Sequence, residues 1–264
     1  MKFIEVKVFH DQINYFLIIE KINFKNNQKI IEQEFKNEIQ DINEVKYYLT
    51  SILNNVEYRK YKTFINFISN DVIIEVVNEN KTTKTNYLTE INKLYPNYHI
   101  DYQLLSSVMK INSENKKRIC ALVSNQMVKD VNSIISFSGK NKIYLGIDAL
   151  LLQMFINDNV LYFNKKYIII LQKTFSYYRI YQILNGKIIN YIIINENNNN
   201  FNNIFTTCLR NIDNKADEVI FEGPYMVYNN LVEKYFMVSI TFMDNIDKIR
   251  YLDERKIAYG KKKL

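Results

Sequence analysis

Tryptophan is absent from this chain, and glycine, proline, cysteine and histidine are scarce: 5, 2, 2 and 2 among 264 residues. Each shortage removes a class of explanation. Cys120 and Cys208 lie far apart and can build neither a disulfide framework nor a metal motif. Both are read as inert thiols. His10 and His99 stand in no pattern with carboxylates at ligand spacing, so both are read as structural and no metal is expected. The few glycines form no G-x-G-x-x-G, no P-loop and no G-x-S-x-G. Long apolar runs are missing too. The best of them, Tyr167–Leu171 and Tyr191–Ile194, have the length of strands, against the roughly 18 residues a spanning helix needs. The opening MKFIEVKVFHD mixes charges into its apolar stretch and has no small-residue cleavage site, so no leader is expected. A reduced, cytoplasmic setting fits these absences.

What is present is an ordinary globular balance, 47% hydrophobic and 24% charged, enough to bury a core. The net charge of +7 invites a nucleic-acid reading. A binding footprint is clustered, however, and these lysines are scattered among glutamates. The one dense patch is Lys261–Lys263, a short solvated tail. No nucleic-acid partner is expected. The 21 tyrosines and 16 phenylalanines fall mostly on alternating strand positions or apolar helix faces, which core packing explains better than base stacking.

Along the chain, Met1–Phe9, Ile13–Ile22 and Gln28–Phe35 read as three strands, the first two around a turn at His10–Gln12. Ile42–Val56 has helical spacing, with Asp41 as N-cap and Glu44 as its capping-box partner. Thr63–Ile68 and Val72–Val77 read as strands, Asn86–Tyr95 as a helix halted before Pro96. Ile100–Met109 and Arg118–Ser124 read as strands. Gln126–Ser138 reads as a helix with Gly139 as its left-handed cap, then Lys142–Ile147 as a strand and Ala149–Phe155 as a helix. The second half opens like the first. Tyr167–Lys173, Tyr178–Leu184 and Lys187–Ile194 are strands, the last two joined by Asn185-Gly186, the strongest hairpin signal present. Asn197–Asn200 is a loop, followed by a helix at Phe201–Asn211, a buried strand at Val219–Phe221, a helix at Tyr228–Phe236 and a strand at Val238–Phe242. Each half is a three-strand meander continued by alternating helices and strands, which argues for two α/β lobes with mixed sheets.

That order of segments resembles the actin-like PilM group, which assembles type IV pili, and more distantly the cytoplasmic part of the GspL secretion proteins. The resemblance is carried by Tyr98–Leu105, YHIDYQLL, preceded by the helix and proline of Leu88–Pro96. It continues through Ile119–Val123, Gln126–Gly139 and Tyr144–Asp148, through the strand pair Tyr178–Lys187, and through Val219–Tyr235, VIFEGPYMVYNNLVEKY. Ala258-Tyr259-Gly260 echoes the closing pattern. It covers nearly the whole chain, and order rather than any single motif carries it. It implies an α/β, two-lobed actin-like (ribonuclease H-like) fold with mixed sheets. Lobe 1 would span 1–158 with an inserted subdomain at about 72–141, and a shortened lobe 2 would span 159–264.

The departures from that pattern bear on function. Actin-like ATPases hold phosphates in two glycine-bearing hairpin turns, because backbone amides must approach the oxygens closely. Here the equivalent turns are Phe9-His10-Asp11-Gln12 and Gln172–Tyr177, QKTFSY, neither with a glycine. The double glycine of the adenosine loop is reduced to Gly223-Pro224, and proline removes a donor. Asp11 and Gly223 are therefore read as vestigial nucleotide-loop positions. Asp11 could serve as a metal-bridging acid, but a turn aspartate bonded to its own backbone is the favoured reading. Asp148 could hold a metal-bound water, but helix capping is favoured there. The resemblance implies a pseudo-ATPase without cofactor, with ATP binding or filament formation as the alternative. Its place would be the inner face of the cell membrane. Its partner would be the N-terminal cytoplasmic peptide of a PilN-like single-span membrane protein, taken in a groove beside the inserted subdomain, with pilus motor or platform proteins as further candidates.

Overall fold

The computed structural model describes residues 2–10, 15–25, 28–39, 41–54, 61–80, 87–110, 115–137, 143–164, 166–213, 216–234 and 240–243. Two compact units result, the first ending at Leu151 and the second beginning at Leu152. The divide falls inside one helix.

The first unit is built on β1 (Lys2–His10), β2 (Tyr15–Lys25), β3 (Gln28–Ile39), β4 (Lys62–Ser69) and β8 (Ile143–Ile147), in the order β3-β2-β1-β4-β8. β1 pairs antiparallel with β2 and parallel with β4, and β4 pairs parallel with β8. The pleat explains the composition of β1. Ile4, Val6 and Val8 bury on one face. On the other, Lys7 Nζ lies 3.0 Å from Glu20 and 3.8 Å from Glu5, and both carboxylates are buried. β4 is covered on both faces, and its run from Thr63 to Ser69 is buried throughout. Helix α1 (Ile42–Asn54) begins as its cap predicts: Asp41 Oδ1 accepts from the amides of Asn43 at 2.6 Å and Glu44 at 3.1 Å. Val45 and Leu49 form its buried face.

Between β4 and β8 the chain makes a second, antiparallel sheet from β5 (Val72–Asn80), β6 (Tyr102–Lys110) and β7 (Asn115–Ser124), in the order β5-β7-β6. Helix α2 (Tyr87–Leu94) lays Ile91 onto Val77, Cys120 and Leu122. Helix α3 (Asn125–Phe137) follows β7, its first turn tied by Ser124 Oγ, which accepts from the Met127 amide at 3.2 Å. The expected strand start at Ile100 is displaced. Asn97 adopts a left-handed φ of 64°, and Tyr98–Ile100 form a 3₁₀ turn ahead of β6. The expected Gly139 cap lies outside the described residues.

The second unit repeats the first's main sheet. β9 (Tyr167–Thr174), β10 (Tyr177–Leu184), β11 (Lys187–Asn195), β12 (Glu218–Glu222) and β13 (Ile240–Phe242) stand in the order β11-β10-β9-β12-β13. β9 is antiparallel to β10 and parallel to β12, as β1 is to β2 and β4. Asn185 and Gly186 take φ of 52° and 75°, the two left-handed residues of a type I′ hairpin. Helix α4 (Asp148–Asp158) leads in, with the short α5 (Val160–Phe163) that the sequence pattern did not suggest. Gln153 of α4 is fully buried, donates to the Gly186 carbonyl at 2.8 Å and accepts from the Ile188 amide at 2.8 Å. Helices α6 (Phe201–Asp213) and α7 (Tyr225–Lys234) follow β11 and β12. The unit's core joins Ile169, Leu171, Ile180, Val219 and Phe221 with Phe201, Phe205 and Tyr228. Helix α7 starts earlier than Tyr228 because the Pro224 carbonyl accepts from Val227 at 2.9 Å and Tyr228 at 3.3 Å.

Gly146 in β8 has no room for a side chain: a Cβ there would lie 2.8 Å from Leu151 Cδ1 and 3.0 Å from the Phe64 ring. Gly146→Ala is expected to cost about 1–3 kcal/mol by overpacking, read as a lowered denaturant midpoint at unchanged m-value.

Candidate functional site

Five places in the fold bear on the expected chemistry. The first is the β1–β2 hairpin. The strands pair through His10 opposite Tyr15, so His10 is a strand residue and the connection is 11–14. Asp11 lies outside the described residues. His10 Nδ1 stands 3.6 Å from Asp71 Oδ2, and His99 is exposed in the 3₁₀ turn.

The second is the β9–β10 hairpin. Thr174 and Tyr177 pair, leaving the two-residue turn Phe175-Ser176. Phe175 takes a φ of 55° and is 51% exposed. A bulky residue in the left-handed region is strained, because its Cβ crowds the following carbonyl. The turn therefore has the backbone of a glycine corner and the side chain of a phenylalanine. Several polar groups around it are matched, although the buried Ser176 Oγ in the turn itself has no hydrogen-bond partner among the described residues. Lys173 Nζ pairs with Glu196 and lies 4.1 Å over the Tyr178 ring. Gln172 donates to Glu222, and Arg179 Nη2 donates to Thr174 Oγ1 at 2.9 Å. An anion arriving here would meet the carboxylates of Glu196 and Glu222 and a lysine that is already paired.

The third is Gly223. It follows β12 with a φ of 155°, and a Cβ on it would sit 2.9 Å from the Phe221 ring and 3.0 Å from the Lys173 carbonyl. Close packing against β9 accounts for this glycine without a ligand. Pro224 beside it offers no N–H.

The fourth is Asp148. It is the first residue of α4, 1% exposed, and its carboxylate accepts from Asn66 Nδ2 at 2.9 Å. The favoured reading made it a cap for its own helix. The bond to Asn66 ties it to the middle of β4. Asn66 is the one amide in the buried run TFINFIS, and that misplaced polarity was the signal available for the pair. Cys120 is buried in β7. Cys208 lies on α6, and its side chain is outside the described residues. No group of three or more histidines, cysteines or carboxylates suited to a metal occurs among the described residues.

The fifth is the inserted sheet. β5 and β6 are its two edges, and α2 with the 3₁₀ turn presents Leu88, Leu94 and Ile100 at 39%, 56% and 64% exposure. Arg118 lies 4.1 Å over the Tyr87 ring. Tyr95 donates to Glu75 Oε1 at 2.7 Å, and burial together with that carboxylate pushes the phenol up to about 12. In the second unit burial and Glu218 raise Tyr162 in the same direction.

These features place the chain in the class of actin-like α/β folds: paired meander-first sheets of one strand order, with a subdomain inserted after the fourth strand of the first. Two similar solved structures agree. One is the PilM–PilN type IV pilus biogenesis complex, with a TM-score of 0.56 over 97% of this chain and 94% of that one at 8% identity. Another is the cytoplasmic domain of EpsL, an inner-membrane component of the type II secretion system of Vibrio cholerae, at 0.51 over 98% and 96% with 6% identity. A protein of Bacteroides thetaiotaomicron with an actin-like ATPase fold and unknown function is similar at 0.49 over 95% of each chain and 12% identity. Identities this low speak to fold. No protein-family model matches the chain, and no curated protein matches it in sequence. Among the described residues no helix is long and apolar enough to cross a membrane.

Two predictions follow from these contacts. Phe175→Gly relieves the left-handed strain and is expected to raise unfolding stability by about 1 kcal/mol, measured by urea titration. The raised Tyr95 pKa contributes stability that is intact below the ordinary phenol value of 10.0 and lost as pH climbs through about 12. Tyr95→Phe is expected to flatten that alkaline decline in the urea midpoint while leaving the neutral-pH slope unchanged.

Proposed function

We propose that this chain is a non-catalytic, actin-like scaffold of a type IV pilus or type II secretion-like machine, and that it binds the N-terminal cytoplasmic peptide of a PilN-type inner-membrane protein. The observation that carries the non-catalytic half is the β9–β10 corner. A phosphate cradle needs several amides converging on one point, with no side chain in the way. Here the corner residue is Phe175, the nearest lysine is paired, and the neighbouring carboxylates repel an anion.

Support for the scaffold half is architectural. The likeness to the PilM–PilN complex and to the EpsL cytoplasmic domain runs nearly end to end in both chains, inserted subdomain included. A peptide groove beside the inserted sheet would use an apolar anchor against residues such as Leu94 and Ile100 and main-chain bonds to an open strand edge. The place of action on this reading is the cytoplasmic face of the inner membrane. A rival reading, a nucleotide-binding ATPase, is favoured by one observation only: the buried Asp148–Asn66 pair at a strand-to-helix junction.

Calorimetry separates the two. No saturable heat is expected with magnesium and ATP at protein concentrations in the tens of micromolar, and micromolar saturable binding would overturn the non-catalytic reading. For the partner, a labelled peptide from the N-terminus of the PilN-type protein of the same organism is expected to bind in fluorescence anisotropy. Leu94→Asp is expected to weaken that binding by about tenfold, the loss of one buried apolar anchor. A peptide that fails to bind the unaltered chain would remove the partner assignment.

A further inference from the structure

The turn that leads into β6 is held more firmly than exposed turns require. Asn97 takes its left-handed φ of 64°, and the amides of Tyr98, Ile100 and Asp101 donate to the carbonyls of Tyr95 at 3.2 Å, Asn97 at 3.1 Å and Tyr98 at 3.2 Å. Asn125, at the start of α3, closes the turn twice. Its amide donates to the Asp101 carbonyl and its Nδ2 to the Ile100 carbonyl, both at 2.8 Å. The backbone is thereby fixed, while Ile100 stays 64% exposed and Asp101 is exposed beside it. An aliphatic side chain and a carboxylate are displayed together on a backbone with little freedom left to lose on binding.

Asp101 also stands apart from the other acids of the inserted subdomain and its junction. Asp71 lies 3.6 Å from His10 Nδ1, and Glu75 accepts from Tyr95 at 2.7 Å. Glu90 pairs with Lys93 at 2.9 Å, and Asp130 accepts from Gln126 at 3.0 Å. Among the described residues, Asp101 is the acid of this region whose side chain meets no partner. Lys93, the nearest lysine or arginine in sequence, is the one already held by Glu90. The other titratable group of the turn is His99, whose ring lies edge-on to Tyr98 at 6.1 Å. On a chain with a net charge of +7, this one fixed carboxylate is left for something outside the chain to match.

We infer that Ile100 and Asp101 form a two-part docking subsite for a partner peptide that carries a cation, its lysine, arginine or free α-ammonium, next to an aliphatic residue. This rests on the peptide-binding reading proposed above and supplies its selectivity. Apolar contact with Ile100 favours any aliphatic segment alike. The carboxylate chooses among such segments, because it accepts a cation at the rim and repels an acid. A neutral peptide of the same apolar content gains the Ile100 contact alone. Since the pair is exposed, its effect is modest in affinity and clear in salt dependence.

Fluorescence anisotropy on the full chain tests it. The probes are a peptide from the N-terminus of the PilN-type protein of the same organism, labelled at its C-terminus, and a neutral copy with acetylated amine and glutamine for each lysine and arginine. The neutral copy and the Asp101→Asn variant are each expected to bind about three- to fivefold more weakly, the size of an exposed charge pair. Combined, they are expected to bind no more weakly than either alone, the mark of a direct pair. Raising salt from about 50 to about 500 mM is expected to erase the difference between the unaltered chain and the variant. The melting temperature of the variant is expected to be unchanged. A variant that binds as tightly as the unaltered chain, or losses that add in full, overturn the inference and leave the partner reading standing. A natural peptide that does not bind the unaltered chain removes both. Should the variant fail to fold, the neutral peptide on the unaltered chain decides, and undiminished binding overturns the inference.

Discussion

Each unit is organised by a strand that must pair on both sides at once. β1 is antiparallel to β2 and parallel to β4, and β9 stands in the same way between β10 and β12. A strand so placed is satisfied along both edges and covered on both faces, which fixes the surrounding composition. Parallel pairing also obliges the chain to leave the sheet and return, and that is where helices and the inserted subdomain enter. The hairpin at the end of this strand then lies at a set place, whatever residues fill it. Position is dictated by the sheet, and chemistry is left to the corner residues.

The charges inside the first unit show how far that constraint reaches. Lys7, Glu5 and Glu20 occupy β1 and β2 positions that the pleat turns inward, and they endure there as an ion pair with a second carboxylate close by. A buried arrangement of this kind is weak support for stability, since desolvation offsets most of the attraction. Removing one member would strand the others. The Asp148–Asn66 pair is similar: a carboxylate with almost no exposure, held by the one amide side chain in the buried run of β4.

The meander of each half was legible in sequence because alternation and β-branched residues agree there with the turn signals. Asn185-Gly186 is the clearest case, a local cue that the fold honours with two left-handed residues. Asp41 is another, a cap whose side chain meets the two amides it should. What could not be read depends on distant parts of the chain. Phe175 in a left-handed conformation follows from the register of β9 against β10, not from anything near it in sequence. The start of α7 at Tyr225 follows from the Pro224 carbonyl, where periodicity alone placed the helix later. Of the residues singled out in advance, Gly223 holds its place through the Phe221 ring and the Lys173 carbonyl, contacts that no spacing rule reveals. Tyr95 and Glu75 come together only because α2 folds back over β5.

Proline at the head of α7 strengthens the corner that Gly223 opens. Its ring presets the backbone for the helix and trims the freedom of the unfolded chain, so the helix start gains from it regardless of any ligand. Exchanging it for glycine would return an amide donor but forfeit both gains.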